Sequence, residues 1–421
     1  MHDPRTYWIW LQQSLPLGCP ETGLLLDSGL RPEALYQAGK KELEGWGLTG
    51  SRMEKLLDKS LDRAQRILEQ AVTHTDWILT PDDAYYPDVL REIVGPPLVL
   101  YCRGDLPDLN RWPGFGIVGT RRASETGRQN AATLSAGLAA AGLVIISGGA
   151  AGIDAAAHAG ALLAQGRTVV VRPCPLESEY PIENRSLRQN ILDKDGAWVT
   201  EFPPGTTARC DFHVRNRLIS GMSIGVCLAE TPEKSGALIT ASLAREQGRD
   251  VFVMPGDLPS HRNDGGHRQI QNGAMLITGP RDILEEYRYR YPGLLDSEAA
   301  EKAAADAARR WTSEERPPAH PKRTGLPRRP KHPSSVPEGR RPLPEVEEKT
   351  APSVGAPPDT ASEAAKAVWA ALTDQPEQMD ILAQEAQLPP AQILAALTEL
   401  ELYGCVCRTA GQRYGRRRID V

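Results

Sequence analysis

Four short segments of this chain carry residue types and spacings suited to holding an anion. Gly116-Ile117-Val118-Gly119 is an apolar run that breaks into Thr120-Arg121-Arg122. Leu143-Val144-Ile145-Ile146 runs into Ser147-Gly148-Gly149-Ala150-Ala151-Gly152-Ile153-Asp154. Phe212-His213-Val214-Arg215-Asn216-Arg217 sets two arginines around an asparagine, just after an aromatic. Ser235-Gly236-Ala237-Leu238-Ile239-Thr240 opens a helix with backbone amides and two hydroxyls. Amides at a helix N-terminus attract anions. Arginine adds a rigid fork for phosphates and a flat face for bases. A base stacked on Phe212 would contribute about 1–3 kcal/mol. The expected contacts to a phosphate or a nucleic-acid backbone are therefore Arg121, Arg122, Arg215 and Arg217. Asn216 lies between the latter two, and Gly148, Gly152, Ser235 and Gly236 shape the groove.

Each segment also has a plainer reading. The glycines can serve tight turns alone, and Ser235 can be an ordinary N-cap. Arg215 and Arg217 can pair with carboxylates such as Glu201 and Glu230 inside the fold. Asp154 and His158 are four residues apart on one helical face. That spacing suits an acid–base pair or half a metal site, but structural hydrogen bonding explains it more simply. The glycine spacings fail the G-x-G-x-x-G test for a dinucleotide, and no phosphate-loop lysine motif occurs. No set of nucleophile, base and orienting group can be assembled.

These segments need a scaffold that ends strands in turns. Apolar runs at 115–119, 143–147, 168–172, 197–200, 224–229, 250–254 and 274–277 alternate with helical stretches, notably 125–141, 153–165 and 237–247. That alternation predicts an α/β domain, a mostly parallel sheet covered on both faces. Ligands in such sheets bind beyond the carboxyl ends of the strands. Strands at Trp77–Thr80 and Leu98–Tyr101 lead into it.

The 421 residues call for two to four domains. The formal net charge of -5 excludes a chain that is basic throughout, though not a local basic groove. Seven cysteines occur with no C-x-x-C, which predicts reduced thiols and no metal site. No apolar stretch nears the roughly 18 residues of a membrane span, and the N-terminus lacks a signal-peptide pattern. A cytoplasmic protein without membrane contact or cofactor is expected.

Residues 1–75 read as all-helical. A helix, glycine turn and helix there can meet a phosphate, or can form a small packing module. Residues 76–292 hold the sheet. Residues 293–360 turn Pro-rich and poor in large apolar residues, which predicts a disordered linker. Residues 361–421 read as three helices, Ala364–Leu372, Asp380–Ala386 and Ala391–Leu402, then a hairpin at Cys405–Arg408 and Arg413–Tyr414. This is a winged-helix pattern. Its third helix carries no Lys or Arg. Protein contact or weak DNA contact is therefore expected of it rather than groove reading.

Seven motifs in order resemble the DNA-processing protein A (DprA/Smf) family: Gly119–Arg122, Ser147–Asp154 with His158, Tyr180-Pro181 with Asn184, Glu201–Gly205, Arg215–Arg217, Ser235–Thr240 and Pro255-Gly256. The resemblance is close over residues 77–280. It implies an extended Rossmann-like sheet, a helical N-terminus of sterile-alpha-motif or helix-hairpin-helix type, and a C-terminal winged helix. It also implies a homodimer that binds single-stranded DNA, protects it during natural transformation and loads RecA recombinase, with no catalytic step. Single-stranded-DNA-binding protein is a further implied partner. Ala151 stands where the family usually has arginine, and His267 where it has asparagine. The competing class is an enzyme on the same sheet, a nucleotide N-glycoside hydrolase using Glu201 or Asp154.

Overall fold

The computed structural model describes residues 2–46, 48, 50–206, 210–311, 361–372, 377–378, 382, 386, 388–402, 405–409 and 413–416. The chain divides into two compact units, residues 1–324 and 325–421.

The first unit opens with helices α1 (Pro4–Ser14), α2 (Glu21–Asp27), α3 (Pro32–Gln37), α4 (Lys40–Gly45), α5 (Gly50–Leu57) and α6 (Asp62–Thr73). Trp8, Ile9, Leu11 and Leu35 share a core with Tyr101, Val170 and Trp198. Gln12 docks this bundle on the remainder. Its Nε2 donates to Val99 O at 3.2 Å and to Glu201 O at 3.0 Å, and Tyr101 Oη donates to its Oε1 at 2.9 Å. A Cβ on Gly18 would meet Arg217 Nε at 2.6 Å, and one on Gly95 would meet Gly18 O at 2.3 Å. The Pro16–Gly18 turn therefore faces protein, which matches the packing reading of this region.

Nine strands follow: β1 (Trp77–Leu79), β2 (Leu100–Gly104), β3 (Gly114–Val118), β4 (Val144–Ser147), β5 (Thr168–Val171), β6 (Ala197–Thr200), β7 (Gly225–Leu228), β8 (Asp250–Val253) and β9 (Met275–Leu276). They form one sheet in the order β1-β2-β6-β5-β4-β3-β7-β8-β9. All pairings from β6 to β9 are parallel, while β2 pairs antiparallel with β6 and β1 antiparallel with β2. Strands β3 to β7 are buried throughout, as their continuous apolar runs require. Alternate residues serve opposite faces: Val144 and Ile146 enter one core, Phe115, Ile117 and Ile145 the other.

Helices lie between and after the strands: α7 (Asp88–Arg91), α8 (Glu125–Ala140), α9 (Ile153–Leu163), α10 (Arg185–Asp193), α11 (Phe212–Gly221), α12 (Ala237–Glu246), α13 (Asp264–Gln271) and α14 (Pro280–Tyr287). The order reverses at β3. The chain builds outward from it through β4, β5 and β6, then returns to its other side with β7. The ends of β3 and β7 are thus the topological switch point, where such sheets open a crevice.

Part of the expected linker is ordered. Residues 297–311 form helix α15 (Ser297–Trp311). Ala300, Ala304, Ala307 and Trp311 recur every three or four residues and are all buried. Three of these four residues are alanine, so a search for a run of large apolar residues misses the stripe. It fits α8, which is itself built of Ala and Gly: a Cβ on Gly137 would meet Ala300 O at 3.0 Å. Residues 312–360 of that linker lie outside the described residues.

In the second unit, α16 (Glu363–Ala371) is capped by Ser362, whose Oγ accepts from Ala365 N at 3.1 Å. A helix spans Pro390–Leu402. Strands β10 (Glu377–Gln378), β11 (Val406–Thr409) and β12 (Arg413–Arg416) form an antiparallel sheet in the order β10-β12-β11. Val368, Leu372, Ile393, Leu397, Leu400 and Tyr414 make its core. Of the expected helix at 380–386, only Leu382 and Ala386 are described. Among the described residues, no helix is long and apolar enough to cross a membrane, and no cluster could hold a metal ion.

Candidate nucleic-acid interface

The chain leaves β3 at Gly119, where no side chain fits. A Cβ there would lie 2.6 Å from Ile153 Cγ1 and 2.8 Å from Glu230 O. Thr120 is then stitched to both neighbours. Its N donates to Glu230 O at 2.8 Å, and its O accepts from Ile153 N at 3.2 Å. The next two side chains, Arg121 and Arg122, are exposed. Ser124 caps α8, accepting from Gly127 N at 2.9 Å, and its own N donates to Glu230 Oε1 at 3.0 Å. The segment after β7 supplies the facing wall. Ser235 Oγ accepts from Ala237 N at 3.3 Å, and nothing lies within 4 Å of a Cβ built on Gly236. The N-terminus of α12 therefore opens into space.

Between these walls lies a cleft of about 660 Å³. Arg121, Arg122, Phe212, Arg215, Asn216, Ser235 and Gly236, all anticipated from sequence, line it. Thr120, Glu230, Lys234 and Arg262, which sequence reasoning did not nominate, line it as well. Lys234 directly precedes the Ser235-Gly236 motif and could have been included with it. Arg262 comes from the loop after β8, far along the chain. Its Nη1 lies 3.7 Å from Glu230 Oε1 and donates to Arg122 O at 3.4 Å.

The second glycine turn holds an arginine rather than an open anion site. Arg215 Nη1 donates to Gly148 O and Val171 O, both at 2.7 Å, and its Nε donates to Asn216 Oδ1 at 3.0 Å. A Cβ on Gly148 would fall 2.1 Å from that Nη1. Gly152 has φ +83, and a Cβ there would strike Thr120 O at 2.3 Å. Arg215 is thus a buried cation at the cleft floor, with much of its hydrogen-bonding capacity given to carbonyls. Beside it, burial raises the Asp154 carboxyl above its ordinary range, with the Arg215 charge opposing. Asp154 Oδ2 also accepts from Ala150 N at 3.3 Å.

Arg217 does not reach the cleft, which corrects the expected phosphate contact. It makes a buried ion pair with Glu201. Positions 215 and 217 are two apart on α11, about 200° around the helix, so they point to opposite sides. Burial raises the Glu201 carboxyl while the adjacent Arg217 opposes it. Sealed in this way, Glu201 is removed as an acid–base group of the cleft. Glu230, the other carboxylate considered for pairing, serves Ser124 and Arg262 instead.

Phe212 is half-buried and already flanked. The Arg121 guanidinium carbon sits 4.5 Å from its ring centroid, and Tyr180 meets it edge-on at 5.8 Å. Asp211 starts this helix, its Oδ1 accepting from His213 N at 3.0 Å and Val214 N at 3.1 Å. Tyr180 is held by buried arginines gripping its loop. Arg172 Nη2 donates to Tyr180 O at 2.9 Å, and Arg188 Nη2 to Glu179 O at 3.1 Å.

His158 is fully buried. Thr168 Oγ1 gives its one proton to Ile145 O at 2.8 Å, so it accepts from His158 Nδ1 at 2.7 Å. The imidazole is therefore the Nδ1–H tautomer, and burial pushes its pKa down to about 3. This is the structural role, not a catalytic one. Ala151 is half-buried in the second turn. His267 Nε2 lies 3.3 Å from Gly256 N and 3.1 Å from Gly256 O, and His267 is not among the residues that line the cleft.

Fold and site together define an open α/β protein, wound in both directions from a central strand, with a cation-lined cleft at the switch point. Residues 77–288 match the family DNA recombination-mediator protein A, and residues 351–412 match the DprA winged helix domain. Protein Smf of Synechocystis sp. is 33% identical over 385 residues, 89% of each chain. DNA processing protein DprA of Streptococcus pneumoniae is 40% identical over 208 residues, 49% of this chain and 73% of the relative. The X-ray structure of DNA processing protein A from Streptococcus pneumoniae superposes with a TM-score of 0.57 at 32% identity, covering 67% of this chain and 97% of that one. The chain belongs to the DprA/Smf family.

Proposed function

We propose that this protein binds single-stranded DNA in the cleft at the ends of β3 and β7. On this reading it protects an incoming strand during natural transformation and hands it to RecA, acting as a homodimer in the cytoplasm without a catalytic step. The observation that carries it is the convergence of Arg121, Arg122, Lys234 and Arg262 on the open N-terminus of α12. The chain is acidic overall, so affinity for a polyanion must come from a local patch of this kind. Exposed cations hold phosphates, and the helix end adds amides.

Binding of a labelled oligonucleotide at two salt concentrations tests it. Affinity should fall with salt at a log-log slope of about -0.7 per phosphate neutralised, and single strands should bind better than duplex. Arg121→Ala with Lys234→Ala should weaken binding and flatten the slope. Equal binding by the parent and this variant would remove the cleft as the site. RecA loading is read separately, as faster filament assembly on the strand in the presence of the protein.

One observation favours a second reading. Asp154 lines the cleft with its carboxyl raised by burial, as a proton donor requires. Release of free base from nucleoside monophosphates, lost in Asp154→Asn, would support an N-glycoside hydrolase.

A further inference from the structure

Two arginines are buried beneath the irregular loop between β5 and α10. Arg172 is 2% exposed and Arg188 3%. Arg172 Nη1 donates to Leu176 O at 2.6 Å, and its Nη2 to Ser178 O at 2.5 Å and Tyr180 O at 2.9 Å. Arg188 Nη1 donates to Pro181 O, and its Nη2 to Glu179 O at 3.1 Å. Carbonyls turned inward from an irregular loop need donors from elsewhere, and these two side chains supply them. Both guanidinium groups stand against Trp198, 5.2 Å and 5.8 Å from its ring centroid, and Trp198 Nε1 donates to Arg188 O at 3.1 Å. Among the described residues neither arginine has an ion-pair partner, and the Glu179 carboxylate of the same loop pairs with Arg185 at 3.4 Å. A buried guanidinium without a carboxylate costs free energy that an apolar side chain of similar length avoids. What arginine adds here is geometry, because its planar fork fixes several carbonyls at once.

The loop so held borders the cleft. Tyr180 meets the Phe212 ring edge-on, and Phe212 lines the cleft with the Arg121 guanidinium over its face. Both ends of the loop are tied to cleft elements. Pro173 O accepts from Asp211 N, the cap of α11, at 2.9 Å. Asn184 Nδ2 donates to Gly149 O, in the second glycine turn, at 3.0 Å.

We propose that Arg172 and Arg188 are positioning residues for base recognition. They fix Tyr180 against Phe212, and so fix the ring and the Arg121 plane on which a base stacks. This rests on the single-stranded-DNA reading and deepens it. Arg172 and Arg188 do not line the cleft. They act on the part of the affinity that depends on bases, and leave the phosphate contacts of Arg122, Lys234 and Arg262 as they are.

The test compares a short labelled oligonucleotide with an abasic strand of the same length, using the full chain at two salt concentrations. The parent should prefer the intact strand by about five-fold or more, the value of one stacked base. In Arg172→Met that ratio should fall toward one, while affinity for the abasic strand and its salt slope match the parent. Tyr180→Ala should lower the ratio likewise, and adding Arg172→Met to it should lower it no further. Should Arg172→Met fold poorly, Arg188→Met carries the same comparison. An unchanged ratio in a folded variant, an equal loss for both strands, or a further fall in the Tyr180→Ala background would overturn the inference. A parent that binds both strands equally well removes this inference alone. A parent that binds neither strand removes the DNA reading and this inference with it.

Discussion

The guanidinium of Arg121 covers the ring of Phe212 at 4.5 Å, joining a residue from the end of β3 to the first turn of α11. The aromatic that could stack a base therefore already carries a cation on its face. Base stacking there requires Arg121 to swing aside, or the base to stack on the guanidinium plane itself.

This relationship makes the two side chains interdependent. Phe212→Ala should weaken oligonucleotide binding by about 1–3 kcal/mol if the ring or its arginine stacks a base. Arg121→Ala should weaken it and also lower the salt slope by about 0.7. In a double-mutant cycle the two losses should fall short of adding. Additive losses by titration at fixed salt would show that the ring and the arginine act separately.

Arg217 and Glu201 predict a stability effect without a binding effect. Removing one partner of a buried pair costs about 3–5 kcal/mol, so Arg217→Ala should lower the denaturant midpoint markedly. Bound DNA per folded molecule should be unchanged, because Arg217 points away from the cleft. A binding loss with unchanged stability would contradict the assigned orientation.

The glycines divide in the same way. Gly148→Ala sets a methyl 2.1 Å from Arg215 Nη1 and should displace that side chain, destabilising the fold by more than about 1 kcal/mol. Gly236 has φ -62 and open space around it, so Gly236→Ala should cost less than about 1 kcal/mol. Thermal melts of the two variants compare them directly.

His158 gives a pH dependence with a definite sign. Its folded pKa of about 3 lies below the ordinary value of 6.5. Between these two pH values the unfolded chain binds a proton that the folded chain refuses. The stability from the neutral, buried imidazole is complete above pH 6.5 and is lost as pH falls toward 3, at up to about 1.4 kcal/mol per pH unit. His158→Asn should flatten that part of the pH–stability curve, as read by denaturant unfolding at a series of pH values.

The strands, their parallel pairing and the glycine turns were legible because each rests on short-range pattern. An apolar run such as Leu143–Ile146 has few options other than a doubly covered strand, and the turn residues follow it directly. The order of the motifs was equally legible and carried the family. The chemistry of the cleft was only partly so. Arg121, Arg122, Ser235 and Gly236 occupy strand-end turns, which sequence places on the open side.

Arg215 and Arg217 look equivalent in sequence, and only the rotation of α11 separates a cleft-floor cation from a buried ion pair. Helix α15 was missed because its buried stripe is alanine, and it fits only because the opposing face of α8 is small too. Sequence alone determined most of the segments that become strands, helices and turns, since those depend on residues a few positions apart, with α15 the exception. Tertiary structure decided which side chains meet: Glu201 with Arg217, Arg262 with Glu230, Arg121 with Phe212. Those partners lie far apart along the chain, and charge pairing depends on distance in space.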